Sequence, residues 1–525
     1  YLEFHRGTYS TQARMKKQNF LCENKLRAAE VLLALGARSE SGDAGHKIKD
    51  IWKDTLLLQF HDILPGSSIG PVYQDAFAMG AGNLTALDSL IVELLKSLAG
   101  TPDEGCYMVY NSAAGQNSTW LELPLPQYDY TPASEDCTVL ACHPQDDTLK
   151  VLVRMEPYSI GRINFFRMDE RHHEGQEIVP EPDGSIVIQN EHLMVTVSPE
   201  GSISSIIDVA HDKELLASES NRLLLWEDEP NNWGAWDINH FYRETTPQDV
   251  KSAELLSTSG IGFGYREVRH RIVIGGSEIT QSIMLYPDER MIRINHLVSW
   301  QEHHKMLRVS FSPDIVTDYA TCGIQMGSVQ RSTKARNQWE SARFEFPAQG
   351  FVDLSDAYLG FSLICPEKYG YSVQENTLEM ALLRSPADVD PHADLGSQEY
   401  SYAFYCHDKP YAEAKVAEIS DAFGTALYSC AASQNLISPF RPTFRFQDGS
   451  LIIKHIKPAE DGRGIILRCY EPLGCAVSDW LKTWDRIVRI SKCNMLEEEI
   501  CELDPDQPIQ AKPFEIVTLR LEMAP

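Results

Sequence analysis

The feature of this sequence that most restricts its fold is a change in hydrophobic periodicity near residue 104. Before it, apolar residues recur at helical spacing over residues 23–40, 47–62 and 71–98. Pro65-Gly66 and Gly100 interrupt the chain after the second and third segments, and Pro71 suits the first turn of the third. Three helices of this length, joined by short loops, predict an antiparallel helical bundle.

After residue 104 the pattern changes to the alternation of apolar and polar residues that is typical of β-strands. The clearest runs are residues 185–190, 192–198, 267–274, 291–296 and 515–521. Roughly 400 residues of this kind, with little helical interruption, predict large antiparallel sandwiches. The expected fold class is therefore α+β, with a three-helix bundle followed by mostly antiparallel β-sandwich domains.

Charge and cysteine content restrict the partners and the compartment. The 525 residues carry 47 basic and 75 acidic side chains, a net charge of −28 with histidine neutral. This surplus repels nucleic-acid backbones and anionic lipids, so neither is expected as a partner. No run approaches the ~18–20 uninterrupted apolar residues of a membrane span. The 12 cysteines are scattered without a CxxC pair, which predicts reduced thiols in a cytoplasmic protein.

The first residues predict a chain that starts inside a larger domain. Residues 1–9 mix aromatic and charged side chains, and they lack the basic and apolar regions of a targeting segment. We expect them to be the edge of a strand or loop whose preceding part lies outside this chain.

A histidine and an aspartate stand side by side at the end of the second predicted helix. His61 and Asp62 follow an apolar run and precede Pro65-Gly66. An imidazole there can bind a metal, and a carboxylate beside it can bind a metal or sugar hydroxyls. Because adjacent helical side chains point about 100° apart, the two are not expected to bind one ion in the same way. The structural alternative is that His61 interacts with the helix dipole and Asp62 accepts backbone donors of the next turn.

The longer segment, residues 52–75, resembles the family 38 glycoside hydrolases, the retaining α-mannosidases. That family has a Gln/Asn-Phe/His-His-Asp-x-x-x-Gly-Ser/Thr segment, and the residues here are Gln59 to Asp62 followed by Pro65-Gly66-Ser67-Ser68. Further stretches resemble the cytosolic and bacterial branch of the family, in the family's order: residues 4–13, 226–230, 233–238, 339–346, 352–355, 368–371, 382–386, 390–391 and 394–396. The resemblance runs nearly end to end.

The resemblance implies roles for two residues and a division into domains. His61 corresponds to a zinc ligand and Asp62 to a residue that contacts the mannose. The β-domains would include a large super-sandwich like that of galactose mutarotase. The implied domains are the end of a catalytic barrel at residues 1–17, the helical bundle at 18–102, a small β-domain at 103–180, a large β-sandwich at 181–430 and a C-terminal β region at 431–525.

The resemblance also implies an activity, namely zinc-dependent hydrolysis of α-linked mannosides. The family's catalytic barrel carries the other three zinc ligands, the nucleophilic Asp and the general acid, and we find no matching motif in this chain. One histidine does not hold a catalytic zinc ion, because such sites take three or four protein ligands. The isolated chain is therefore expected to be inactive. The implied partners are a mannoside substrate, the N-terminal barrel and a second copy of the chain in a homo-oligomer.

Two alternative functions remain open at this point. The first keeps the fold but changes the substrate to a small mannoside such as mannosylglycerate. The second is a noncatalytic carbohydrate-binding or scaffold chain that has the bundle and the sandwiches without a barrel.

Several further residues have both a functional and a structural interpretation. Trp226, Trp233 and Trp236 form either a sugar platform or a core cluster. Charged residues of the β-domains form either the rim of a cleft or structural salt bridges: Arg331, Arg343, Arg384, Asp390 and Asp394. His5 and Arg6 are candidates for shaping a pocket, whereas the pairs His172-His173 and His303-His304 are expected in exposed loops.

Overall fold

The computed structural model describes residues 3–126, 130–167, 178–261, 265–435, 443–483 and 485–524. The chain starts with a 3-10 helix, Glu3–Tyr9, and three α-helices: α1 Ala13–Ala34, α2 Ala44–Leu58 and α3 Gly70–Ala99. The predicted bundle is confirmed, but α1 begins ten residues before the predicted start at residue 23. The cause is a distant cap, because the carboxylate of Asp394 accepts the backbone N–H groups of Gln12 and Ala13 at 2.8 and 2.7 Å.

Helix α3 is the longest of the bundle. By length and mean hydropathy it is the one helix in the described ranges that could cross a membrane, with a value of 1.2 over its most apolar window. A buried helix passes the same test. Five apolar residues of its C-terminal half lie in the bundle core, at most 3% exposed: Leu87, Leu90, Ile91, Leu94 and Leu95.

A small β unit follows the bundle. Its strands are β1 Cys106–Asn111, β2 Asn117–Pro124, β3 Tyr130–Ala133, β4 Thr138–Gln145, β5 Thr148–Met155 and β6 Ser159–Arg167. Strands β2, β5 and β4 form one sheet, whereas β3, β6 and β1 form another, which the later strand Leu427–Ala431 extends at its edge. The two sheets share an apolar core that includes Val109, Val151 and Ile163.

The large β unit contains most of the strands. They are β7 Ile186–Gln189, β8 Leu193–Val197, β9 Ile203–Asp208, β10 Lys213–Glu214, β11 Arg222–Glu227, β12 Ser252–Ile261, β13 Tyr265–Ile274, β14 Ser277–Leu285, β15 Met291–Trp300, β16 Lys305–Phe311, β17 Tyr319–Ile324, β18 Gly327–Ser332, β19 Phe346–Pro347, β20 Gly350–Ser355, β21 Gly360–Cys365, β22 Gly370–Gln374, β23 Thr377–Arg384 and β24 Gly396–His407. Three short helices accompany them: a 3-10 helix His240–Glu244, α4 Gln338–Ser341 and α5 Val416–Ala422.

These strands form a sandwich. A nine-stranded sheet, in the order β12-β13-β14-β15-β24-β21-β20-β17-β18, lies opposite a five-stranded and a four-stranded sheet. One apolar core joins all three sheets and includes Ile283, Leu307 and Phe404. The strands pair antiparallel, with the register Ile294 to Tyr402 between β15 and β24. The predicted antiparallel sandwich is therefore confirmed.

The C-terminal unit is a second, smaller set of sheets. Strand β25 Leu427–Ala431 is the edge strand of the small β unit, and the C-terminal unit follows it. The strands of the C-terminal unit are β26 Phe444–Phe446, β27 Ile452–Pro458, β28 Ile465–Tyr470, β29 Val477–Asp479, β30 Leu481–Thr483, β31 Ile487–Cys493, β32 Glu499–Leu503, β33 Ile509–Ala511 and β34 Ile516–Met523. Its largest sheet has the order β27-β28-β34-β31-β32. Leu467 and Leu519 of this sheet share a core with Leu26 and Leu94 of the bundle, so the first and last parts of the chain are packed together. The predicted domain boundaries stay a prediction.

Candidate functional site

The pair His61 and Asp62 lies in a compact loop between α2 and α3. Helix α2 ends at Leu58, and α3 starts at Gly70 with Pro71 in its first turn. The His61 side chain is 77% exposed, and its Nε2 lies 3.5 Å from Oδ2 of Asp62. The imidazole also contacts the ring of Phe60, with the centroids 4.1 Å apart. The imidazole therefore faces solvent, and its contacts are with its two neighbours in the sequence.

Two side chains packed beneath the exposed tip, Tyr73 and Lys16, hold this loop in place through hydrogen bonds to its backbone. Tyr73 donates its hydroxyl to the carbonyl oxygens of Asp62 and Ile63, at 3.1 Å each, and accepts the N–H of Ser68 at 3.1 Å. The ammonium of the buried Lys16 donates to the carbonyl oxygens of Leu64 and Pro65, at 3.0 and 3.3 Å. Burial lowers the pKa of Lys16 to about 7, although Asp394 opposes that shift. The loop is thus fixed although its tip is exposed.

Gly66 is the turn residue that this loop requires. Its φ angle is +98°, which is strained for residues with a side chain. A Cβ atom there would also lie 2.5 Å from the carbonyl oxygen of Thr11. The Pro65-Gly66 turn is therefore pressed against the residues before α1.

The side chain of Asp62 is also oriented by the loop. Its Oδ1 accepts a hydrogen bond from the Ser67 hydroxyl at 3.1 Å, and the carboxylate remains 44% exposed. The structural alternative required backbone donors for Asp62, and the described hydrogen bonds to its carboxylate come from a side chain instead. Exposed apolar residues flank the pair: Leu56, Leu57, Phe60 and Ile69.

The segment before α1 meets the tryptophan-rich segment of the large sandwich. The N–H of Gly7 donates to the carbonyl oxygen of Trp236 at 2.8 Å. The Thr11 hydroxyl is 2.8 Å from the carbonyl oxygen of Gly7 and 3.1 Å from that of Ala235. Because Thr11 also lies against Gly66, three parts of the sequence that are far apart meet at this junction.

Arg384 is the buried cation of the junction. Its side chain is fully buried, and its Nε lies 2.7 Å from Oδ2 of the equally buried Asp228. Its Nη1 donates to the Thr11 hydroxyl at 3.1 Å, and its Nη2 also contacts the carbonyl oxygen of Asp237. These contacts favour the structural interpretation of Arg384 over a place on the rim of a cleft.

Asp390 and Asp394 are structural in the same sense. Asp394 caps α1 through its two carboxylate oxygens, and Asp390 accepts from the Gln12 side chain at 2.9 Å. Burial raises the pKa of Asp394 to about 6, while Lys368 and the capped backbone groups oppose the shift. The carboxylate of Asp394 therefore fixes the start of α1, although the two are far apart in the sequence.

The three tryptophans separate into one core residue and two residues of the junction. Trp226 is 8% exposed and packs at right angles on Tyr242, with the ring centroids 5.2 Å apart. Trp233 is 68% exposed with a φ of +61°, and Trp236 meets it edge-on at 5.7 Å. Trp233 lines an open depression of about 390 Å³ together with Asn232, His304 and Asp388. Trp233 alone keeps the exposure that a sugar platform requires.

The remaining candidates have structural contacts or lie outside the described residues. Arg6 stacks on Phe344, with its guanidinium 4.3 Å from the ring centre, and Arg331 lies 4.9 Å above Phe346. His303 and His304 are exposed, as predicted. His172 and His173 lie outside the described residues, and the structure assigns no chemical role to His5 or Arg343.

Models of three domains match the chain in sequence order. They are "Alpha mannosidase middle domain" over residues 3–98, "Glycosyl hydrolases family 38 C-terminal domain" over 188–392 and "Glycosyl hydrolases family 38 C-terminal beta sandwich domain" over 450–519. The chain belongs to glycoside hydrolase family 38. The resemblance of the His61 segment is thereby confirmed at the level of the family.

Relatives from this family match the chain along nearly its whole length. "Alpha-mannosidase 2C1" of Mus musculus is 29% identical over 95% of the chain and 47% of its own length, and the Homo sapiens protein of the same name is 28% identical over 100% and 50%. The chain thus spans about half the length of these curated relatives. An α-mannosidase structure from Enterococcus faecalis has the same fold, with a TM-score of 0.76 at 17% identity over 98% of this chain and 68% of the other.

A family 38 site implies zinc, and the donor set here is incomplete for it. Within the described ranges no group of three or more His, Cys, Asp or Glu side chains could hold a metal ion. His61 and Asp62 together offer one imidazole and one carboxylate, whereas a catalytic zinc site takes three protein ligands and a water. The described residues therefore do not by themselves offer the donor set of a catalytic zinc site.

Three residues that organise the junction were not singled out from the sequence: Gly7, Thr11 and Lys16. Asp228 stands among the tryptophans in the sequence, where a carboxylate could accept a sugar hydroxyl, and only its pairing with Arg384 was not predicted. Thr11 left no signal, because its role depends on Arg384, which is more than 150 residues from it in the sequence.

Proposed function

We propose that this chain is the helical and β-domain part of a retaining, zinc-dependent α-mannosidase that hydrolyses α-linked mannosides. The observation that carries the proposal is the exposed His61 imidazole beside Asp62, on a loop that buried Lys16 and Tyr73 hold in place. The family membership and the names of the relatives, which are α-mannosidases, support the substrate class.

The two residues would have different tasks. His61 presents a ring nitrogen to the metal, and Asp62 accepts a hydrogen bond from a sugar hydroxyl. The hydroxyl of Ser67 fixes one oxygen of Asp62 and leaves the other exposed toward His61. Bound zinc would polarise and orient the mannose hydroxyls as a Lewis acid.

The proposal divides the active site between this chain and a catalytic domain. A retaining glycosidase needs two carboxyl groups about 5–5.5 Å apart, one as nucleophile and one as acid and base. The family resemblance assigns both of them, and the remaining zinc ligands, to the barrel. The exposed apolar residues Leu56, Leu57 and Phe60 beside His61 support this division, because exposed apolar patches mark contact surfaces.

The first test is His61→Ala in the full-length enzyme. We expect loss of bound zinc and a fall in α-mannoside hydrolysis of at least about 100-fold, because losing even an outer-shell partner of a metal ligand costs 10–100-fold. Zinc content is measured by elemental analysis, and activity with an aryl α-mannoside. The matched control is His46→Ala, which removes an exposed histidine from α2, the helix that precedes the His61 loop. Unimpaired hydrolysis by the His61→Ala enzyme would refute the assignment.

The second test is zinc binding by residues 1–525 alone. Since the described residues offer His61 without two further ligands, we expect less than one zinc ion per chain after dialysis. Titration calorimetry with Zn²⁺ and elemental analysis give the stoichiometry. Tight binding of one ion per chain would show that the chain completes a site without a barrel, and the proposed division would be wrong.

The compartment and the assembly state belong to the same proposal. The cysteines are free thiols, and burial raises the pKa of several, Cys322 to about 12 among them. Unpaired buried thiols suit a reducing cytoplasm. A noncatalytic carbohydrate-binding chain stays the alternative that the zinc and activity measurements address. A homo-oligomer stays a prediction, and the mass of the chain in solution tests it.

A further inference from the structure

A polar cavity lies where the bundle, the large sandwich and the C-terminal sheets meet. Its volume is about 260 Å³, and its walls come from α1, α2, the turn between β17 and β18, α5 and strand β27. His61 and Asp62 do not line it. The residues that matter for its chemistry are Asn24, Arg27, Trp52, Asp421 and Lys454.

The base of the cavity is a buried ion cluster. Nη1 of Arg27, which is 2% exposed, lies 2.7 and 2.9 Å from the two carboxylate oxygens of Asp421. Asp421 also contacts the ammonium of Lys454 and accepts the N–H of Ala114 at 2.8 Å. Burial alone would raise the pKa of Asp421, but Arg27 and Lys454 outweigh it and hold that pKa well below its usual range. The carboxylate is thus fully occupied, and the two cations exceed it by one charge.

Two hydrogen-bond donors of this cluster have no acceptor in the described part of the chain. They are Nε of Arg27 and Nδ2 of Asn24, both buried. Arg27 uses its other nitrogens on Asp421 and on Oδ1 of Asn24, at 3.1 Å for the latter. A buried donor without a partner is costly, so the cavity favours a ligand that brings oxygen acceptors.

The residues that line the cavity indicate which kind of oxygen-bearing ligand fits it. Phe20, Trp52 and Tyr470 supply aromatic surface, and Gln349 supplies an amide that both donates and accepts. Glu23 adds a carboxyl group whose pKa burial raises, and a second carboxylate, Asp421, lies at the base. Asp421 already takes up both cations at the base of the cavity, and a compact phosphate would leave the aromatic rings uncovered. A pyranose combines acceptor and donor hydroxyls with an apolar ring face, which matches donors, acceptors and aromatic rings together.

We propose that this cavity binds one pyranose monosaccharide at a site separate from the His61 loop. The ring oxygen or a hydroxyl accepts from Arg27 Nε and Asn24 Nδ2, and the apolar face of the sugar lies on Trp52. Glu23 joins the cavity wall to the His61 loop, because it accepts from the Gln59 side chain at 2.8 Å. Because the cavity walls come from α1, α2, α5 and β27, a bound sugar would contact the bundle, α5 and the C-terminal sheet at once.

The test uses the chain of residues 1–525 with D-mannose, D-glucose and inorganic phosphate as separate probes in titration calorimetry. We expect one saturable site for at least one of the two sugars and none for phosphate. Asn24→Asp keeps Oδ1 for Arg27 and replaces the free donor with an acceptor, so it should weaken sugar binding about tenfold. Gln507→Glu adds the same charge at an exposed position and should change nothing, and neither should His61→Ala.

Hydrogen exchange locates the site independently of the variants. Bound sugar should slow exchange of the backbone amides in Val416–Ala422 and in the middle of α1, and it should leave β32 unchanged. Should Asn24→Asp fail to fold, this measurement on the unaltered chain decides the question. Absence of saturable sugar binding, binding of phosphate alone, or sugar binding that disappears with His61→Ala would each overturn the proposal. The zinc and hydrolysis measurements are unaffected by any of these outcomes.

Discussion

Arg384→Met should lower the free energy of unfolding of this chain by about 3–5 kcal/mol, because it leaves a buried carboxylate without its cation. Arg384 and Asp228 have side chains that are 0% and 1% exposed, and their closest atoms are 2.7 Å apart. The methionine would also lose the hydrogen bond to Thr11 and thus the link between the first residues and the large sandwich. Urea unfolding, followed by tryptophan fluorescence, measures the change.

Two comparisons separate the charge effect from the loss of packing. The control Arg222→Met removes an exposed pair with Asp249, and we expect a change of about 1 kcal/mol or less. The double variant Arg384→Met with Asp228→Asn removes both charges, so its loss should be smaller than the sum of the two single losses. Additive losses would mean that the two side chains stabilise the junction independently, contrary to the ion pair described here.

The hydrophobic periodicity of the sequence was sufficient to predict the helical bundle and the β-sandwiches, because each helix and strand buries one face. Strands such as β7, β8, β13, β15 and β34 lie where alternation predicts them. The start of α1 was predicted ten residues late for a physical reason. Its cap is Asp394, which is 381 residues from Ala13, so the local sequence contains no capping signal.

The candidate site was predictable only in part. His61 and Asp62 came from the resemblance of one continuous segment, and they do lie together on an exposed loop. The β-domain residues were ambiguous, since Arg384 and Asp394 have the same types and spacing whether they bind a ligand or brace the fold. Only their burial and their contacts with Thr11, Gln12 and Ala13 separate the two interpretations. The sequence also did not show which tryptophan is buried: Trp226 lies in the core, whereas Trp233 is exposed.

Glu30→Gln should stabilise the chain in a pH-dependent way, with a gain of about 3 kcal/mol at pH 8 and almost none at pH 4. Glu30 is 9% exposed on α1, and burial raises its pKa from 4.5 to about 7, although the Trp52 N–H, at 2.9 Å, opposes the shift. Since the folded chain holds this proton between pH 4.5 and 7 and the unfolded chain does not, wild-type stability falls as pH rises through that range. Above pH 7 the folded state contains a buried charge, which glutamine removes.

Unfolding by urea at a series of pH values between 4 and 8 measures this difference. The glutamine keeps Oε1 as the acceptor for Trp52, so the hydrogen bond is retained and the comparison isolates the charge. Glu40→Gln replaces an exposed carboxylate near the same bundle and is the matched control. A Glu30→Gln difference that stays constant between pH 4 and 8 would show that Glu30 ionises at its ordinary pKa. In that case the charge would be compensated by Lys457 and Arg468, the basic residues that face Glu30 from the C-terminal sheet.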